Sequence, residues 1–172
     1  MIELIGIFLR LVLLHVGLPY EFVGWIMVCV GSAHFAILVN GSPTSFFQGN
    51  RGLQQGCPVP PLLFLLVIED FSRLIADAKQ KGELRGIKIY DIHFLTHWLF
   101  VDHVLIFGDG SLQEWSMYHD IIILLCQVSG MEVSPHKSCL IVFGEMSIDH
   151  MLNPFPLSVK QIDDGFNYLG FF

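Results

Sequence analysis

The chain has 172 residues, 53% hydrophobic and only 15% charged, with sixteen acids against nine Lys and Arg for a formal charge of −7. That length suits one domain of ordinary size, while the charged fraction falls below the roughly 25% usual in soluble domains. The acidic balance argues against a free-standing nucleic-acid binder, because neutralising phosphates and releasing their counterions drives such affinity.

A mean hydropathy of +0.59 fits a membrane protein, a tightly packed domain, or a piece of a larger protein whose apolar faces pack elsewhere. Cys29, Cys57, Cys126 and Cys139 stand singly, which reads as reduced thiols rather than a disulfide framework. The histidines and cysteines lack the clustered spacing of a zinc site. The first apolar stretch is interrupted by Arg10, His15 and Glu21, so no signal peptide is read there.

In chain order, Ile7 to Leu14 predicts a short helix that stops before Gly17-Leu18-Pro19. Pro19 suits the start of a second helix, since its missing N–H is not needed there; that helix runs to about Val30 and ends near Gly31. Residues 22–39 form an uncharged run of eighteen, near the length of a spanning helix. Gly24, Gly31, Ser32 and His34 divide it, and no Lys or Arg flanks it. The alternative kept open is a small membrane-associated protein anchored by residues 22–39. The favoured reading is a buried helix followed by a strand, His34 to Val39. Asn40-Gly41 closes that strand as a hairpin turn, and a second short strand resumes at Ser45-Phe46-Phe47.

Residues Arg51 to Pro61, with two glycines and three prolines, read as an irregular loop. Leu62 to about Lys79 reads as a long helix closing at Gly82. Strands follow at Leu84 to Tyr90 and His93 to Phe100. Phe100-Val101-Asp102-His103 then leads directly into Val104-Leu105-Ile106-Phe107, a tight hairpin. Gly108 to Ser111 is a loop, Leu112 to Val128 a helix stopped by Gly130, and Ser138 to Phe143 a strand. The class is α+β, an antiparallel hairpin sheet with helices packed on one face.

Taken alone, Asp102 is an ordinary turn aspartate and Lys137 a surface lysine. Asp91 and Asp109 read as solvated acids. Trp25, Trp98 and Trp115 read as core or buried-face aromatics.

Four stretches, in order, carry more than their composition. The first is Asn40 to Ile75, containing RGLQQGCPVPPLLF, which resembles the RGLRQGCPLSPLLF segment of LINE-type reverse transcriptases of plants. LTHWLFVDHVLIFG resembles that family's LLFADDVVLF hairpin; GMEVSPHKS resembles its GLKINxxKS segment, and FNYLGFF its YLGF segment. The resemblance spans about Phe8 to Phe172. It implies a right-hand polymerase palm over residues 1–172, a partial domain without its fingers, its upstream catalytic strand and its thumb.

By resemblance, Asp102 is a catalytic carboxylate and Mg²⁺ ligand, and Lys137 the lysine near the nucleotide phosphates. Arg51, Gln55 and Gly56 lie over nucleotide and template, while Tyr168, Leu169 and Gly170 form a primer grip. The partners implied are an RNA template, a DNA primer and dNTPs. A nuclear or cytoplasmic location would follow from the family alone.

The departures bear on activity. His103 stands where the family has a second aspartate, and imidazole is a poor substitute for a hard oxygen ligand of magnesium. The family's upstream aspartate would fall near Ile2, where Glu3 is the nearest acid. Gln54 stands where an arginine is common, and Pro60 where a serine is common. The expectation is an inactive descendant of an RNA-directed DNA polymerase, with a non-catalytic nucleic-acid-binding remnant as a further alternative.

Overall fold

The computed structural model describes residues 2–32, 34–48, 59–100, 103–143 and 157–162. Four helices dominate: α1 (Ile2–His15), α2 (Tyr20–Gly31), α3 (Val59–Gln80) and α4 (Leu112–Ser129). Their apolar residues recur at helical spacing and converge. Leu9 and Leu13 of α1, Leu63, Val67, Phe71, Ile75 and Ala78 of α3, and Tyr118, Ile121 and Leu125 of α4 form one core, with Val23 of α2 against it. Steps of three and four residues place such side chains on one face.

The ends follow the local chemistry. Ser111 caps α4, its Oγ accepting the Glu114 N–H at 3.3 Å. Gly130 ends that helix at φ 68°, a left-handed turn that glycine makes without a Cβ penalty. α3 begins three residues before the expected Leu62 because Pro60 and Pro61 fit a first turn, where no N–H is required.

The strands are shorter than expected. β1 (His34–Phe35), β2 (Leu38–Val39), β3 (Ser42–Pro43) and β4 (Phe47–Gln48) replace two longer ones, while β5 (Ile87–Tyr90), β6 (His93–Leu95), β7 (His97–Phe100) and β8 (His103–Ile106) lie between α3 and α4. β9 (Cys139–Val142) and β10 (Ser158–Gln161) follow α4. Asn40 and Gly41 both take positive φ, 50° and 82°, as the expected hairpin turn between β2 and β3 requires.

Three expectations need correction. Instead of one antiparallel sheet, the described residues form five separate strand pairs, and β9 pairs with β10 in parallel. The expected strand from His93 to Phe100 breaks at Thr96, whose carbonyl accepts the Phe107 N–H at 2.9 Å, outside any strand pairing. Trp25 and Trp98 are exposed, 65% and 56%. α2 inserts little beyond Val23, and strand alternation turns Leu99 inward and Trp98 outward.

The membrane reading loses its support as well. The run 22–39 is divided among α2, β1 and β2, and no helix among the described residues is long and apolar enough to cross a membrane.

β7 is held to α3 by His97. Its Nε2 shares a 2.8 Å hydrogen bond with Ser72 Oγ, its ring meets Phe71 edge-on, and its Nδ1 lies 3.1 Å from Thr96 Oγ1. Burial, then the nearby Lys79 charge, lowers the His97 pKa, against a smaller opposing influence of Glu69. The folded state therefore prefers the neutral ring, whereas the unfolded chain takes up a proton near pH 6.5. Stability is complete above that value and declines as pH falls toward the lower folded pKa. The urea midpoint should accordingly drop between pH 7.5 and 5.5, and drop less in His97→Gln; equal drops in both proteins would contradict this role.

Candidate functional site

The site begins with the β7–β8 hairpin. Its register pairs His97 with Ile106, Trp98 with Leu105, Leu99 with Val104 and Phe100 with His103. The last pair closes the described part of the hairpin, and residues 101 and 102 lie outside the described residues. Leu99 and Ile106 pack against the helical core, while Trp98 and Phe100 share the exposed face of β7.

The base of this hairpin rests on α4. Tyr118 is almost fully buried, and its hydroxyl lies 2.9 Å from the Phe107 carbonyl and 3.2 Å from that of Thr96. Burial raises its pKa strongly, helped by the negative charges of Glu114 and Asp109, so the phenol stays protonated and keeps its donor.

One turn earlier in α4, Glu114 is only 4% exposed. Its Oε1 accepts the Arg85 and Gly86 N–H groups at 2.7 and 2.6 Å, and its Oε2 accepts the Asp109 N–H at 2.5 Å. A buried carboxylate without partners would be costly, and three N–H groups satisfy this one. Two glycines stand beside these bonds. A Cβ on Gly108 would stand 2.9 Å from Glu114 Oε2, and one on Gly86 would collide with the Leu95 carbonyl. Gly86 also has a φ of 78°, open to glycine and strained for other residues.

Asp109 is more than a solvated loop acid. Its carboxylate accepts the Ser111 N–H at 2.8 Å. Hydrogen bonds from the Ser111 backbone, then from its side chain, lower the Asp109 pKa.

Of the residues singled out from the sequence, Lys137 is described. It stands exposed on a short 3₁₀ turn, Pro135–Lys137, just before β9. Among the described residues, no hydrogen bond or ion pair joins its side chain to the hairpin. Arg51, Gln55, Gly56, Asp102, Tyr168, Leu169 and Gly170 lie outside the described residues. Ile2 and Glu3 belong to α1, a helix rather than a strand.

Glu114, Tyr118 and His97 were not singled out from the sequence. The Ser-x-x-Glu spacing of Ser111 and Glu114 at a helix start is a legible capping-box signal. The partners of the Glu114 carboxylate are not, because Arg85 and Gly86 lie twenty-nine and twenty-eight residues away.

Magnesium held for nucleotidyl transfer requires clustered oxygen ligands. Among the described residues no group of three His, Cys, Asp or Glu side chains could hold a metal ion, and β8 opens with the imidazole of His103. The described residues alone do not fit the ion, and no chemical step is assigned to it.

A mixed helical domain with a tight central hairpin braced by a buried carboxylate and a buried phenol defines the structural class. The sequence model of the reverse transcriptase (RNA-dependent DNA polymerase) family matches residues 12–172, and the chain belongs to that family. It is also 36% identical to an uncharacterised mitochondrial protein of Arabidopsis thaliana, over 49% of this chain and 67% of that protein.

Removing the brace tests its weight. A buried donor left unsatisfied costs about 1–3 kcal/mol and a part-buried one less; with the Gly86 donor buried and the other two part-buried, Glu114→Ala should lose about 2–3 kcal/mol of unfolding free energy. Ser111→Ala, which removes a cap alone, should lose about 1 kcal/mol. Urea unfolding followed by circular dichroism compares them; similar losses in the two variants would contradict the proposed weight of the Glu114 bonds.

Proposed function

We propose that this chain is the palm segment of a plant LINE-type, non-LTR reverse transcriptase that no longer polymerises. The observation that carries the reading is the β7–β8 hairpin, in which His103 opens β8 where the resemblance calls for a second aspartate. Supporting it are the order of four family-like segments along one chain and the family match over residues 12–172. The plant origin of the related mitochondrial protein agrees with the kind of element proposed.

Nucleotidyl transfer by two metals needs carboxylates that hold two hard cations about 4 Å apart, one activating the attacking oxygen and the other steadying the leaving group. Asp102 is the acid that the resemblance assigns to this task. His103 offers one nitrogen ligand and no bridging oxygen. Near the place of the family's upstream aspartate stands Glu3, on helix α1. RNA template, DNA primer and dNTP remain the partners of the ancestral activity. Arg51, Gln55 and Gly56 would lie against nucleotide and template, Lys137 near the phosphates, and Tyr168, Leu169 and Gly170 at the primer.

Primer extension on an RNA template, with Mg²⁺ and separately with Mn²⁺, tests the loss. The expected outcome is no product from the chain or from Asp102→Ala, beside an active reverse transcriptase control. Product from the unaltered chain that disappears in Asp102→Ala would overturn the reading, since Asp102 would then still organise metal with another acid.

A further inference from the structure

The charge of this chain is unevenly distributed. Residues 73–88 hold five of its nine basic residues, Arg73, Lys79, Lys81, Arg85 and Lys88, and only two of its sixteen acids, Asp77 and Glu83. A protein with net charge −7 therefore carries one locally cationic segment, spanning the end of α3 and the start of the β5–β6 hairpin.

Within that segment the cations divide into two groups. Arg73 lies 3.6 Å from both Glu69 and Asp70, and Lys81 lies 2.6 Å from Asp77. Lys79, Arg85 and Lys88 make no such pair with a carboxylate among the described residues, and all three gather about Phe94. Lys79 Nζ donates to the Phe94 carbonyl at 2.8 Å. The Arg85 guanidinium stacks over the Phe94 ring, 4.8 Å from its centre. Lys88 is the residue directly across from Phe94 in the antiparallel register, so the two side chains share a face. All three cations are exposed.

Nearby constraints hold the group together. The Arg85 and Gly86 N–H groups are fixed by Glu114, so the backbone beneath the guanidinium is set by α4. The Lys79 ammonium is tethered to the hairpin from α3. At the end of β5, next to the turn of the same hairpin, Tyr90 is 71% exposed.

We propose that Lys79, Arg85 and Lys88 form a binding site for the phosphates of single-stranded RNA, with Tyr90 as a stacking surface for a base. Cations that track a backbone beside an exposed aromatic are the general means of holding single-stranded nucleic acid without reading its sequence. The site spans the end of α3 and the β5–β6 hairpin and needs neither metal nor carboxylates. It rests on the family reading for the class of partner but not on the loss of catalysis, so binding measured in EDTA separates the two: failure to bind leaves the primer-extension result standing.

The test uses the full chain and fluorescein-labelled oligouridine in EDTA, titrated over a range of salt concentrations. Lys79→Gln/Arg85→Gln/Lys88→Gln is compared with Arg10→Gln/Arg73→Gln/Lys160→Gln, which removes the same number of exposed charges outside the group about Phe94. Tyr90→Ser is the third variant, and circular dichroism verifies that each keeps its helix content.

The expected result is binding that weakens about tenfold or more in the first triple variant. Its salt slope should fall by roughly two, as for three phosphate contacts on a single strand. The control should change little, and Tyr90→Ser should weaken binding without changing the slope. No binding by the unaltered chain at low salt would overturn the proposal, as would equal losses in the two triple variants. Capture by anionic phospholipid vesicles without RNA binding would also overturn it.

Discussion

The Glu114 carboxylate joins parts of the chain that no strand pairing connects. It sits in the first turn of α4, yet it accepts N–H groups from the segment entering β5 and from the segment leaving β8. Both flanks of the hairpin region are thereby referred to one helix. The carboxylate is buried and so is its bond to the Gly86 N–H, where water competes least; the bonds to Arg85 and Asp109 are part-buried. Gly108 leaves room for the carboxylate, while Gly86, for a separate reason, lets the chain turn past the Leu95 carbonyl.

Around that point the fold separates two kinds of surface. The helical core receives Leu99 and Ile106 from the β7–β8 hairpin and fixes its inner face. The outer face, with Trp98 and Phe100, remains exposed, as do Phe22, Trp25 and Val28 of α2. Such apolar surface accounts for the high mean hydropathy without any membrane-spanning helix among the described residues. Charge is separated too, since five of the nine cations fall between the end of α3 and the start of the β5–β6 hairpin while acids prevail over the rest of the chain.

Family membership and catalysis rest on different parts of the chain. Membership in the reverse transcriptase family rests on nearly the whole length of the sequence. Catalysis in such a family depends instead on a few oxygen atoms held at fixed separation, which one substitution in the hairpin can remove while the hairpin itself persists. His103 pairs with Phe100 as a strand residue should, because β pairing uses backbone groups and tolerates many side chains.

The sequence by itself determined what depends on neighbours along the chain. The 3.6-residue periodicity marked α1, α3 and α4, Pro19 and Gly130 marked helix ends, and Asn40-Gly41 marked a turn whose positive φ values only a few residues accept. The ordered motifs gave the family. What only the tertiary structure decided lies across long separations. It split the expected strand at Thr96, set β9 beside β10 in parallel, turned Trp25 and Trp98 to solvent, and brought Lys79, Arg85 and Lys88 around Phe94. The physical reason is that short strands and buried polar groups take their partners from wherever packing supplies them. The glutamate at the start of α4 announces a cap, but only the folded chain gives its carboxylate three donors.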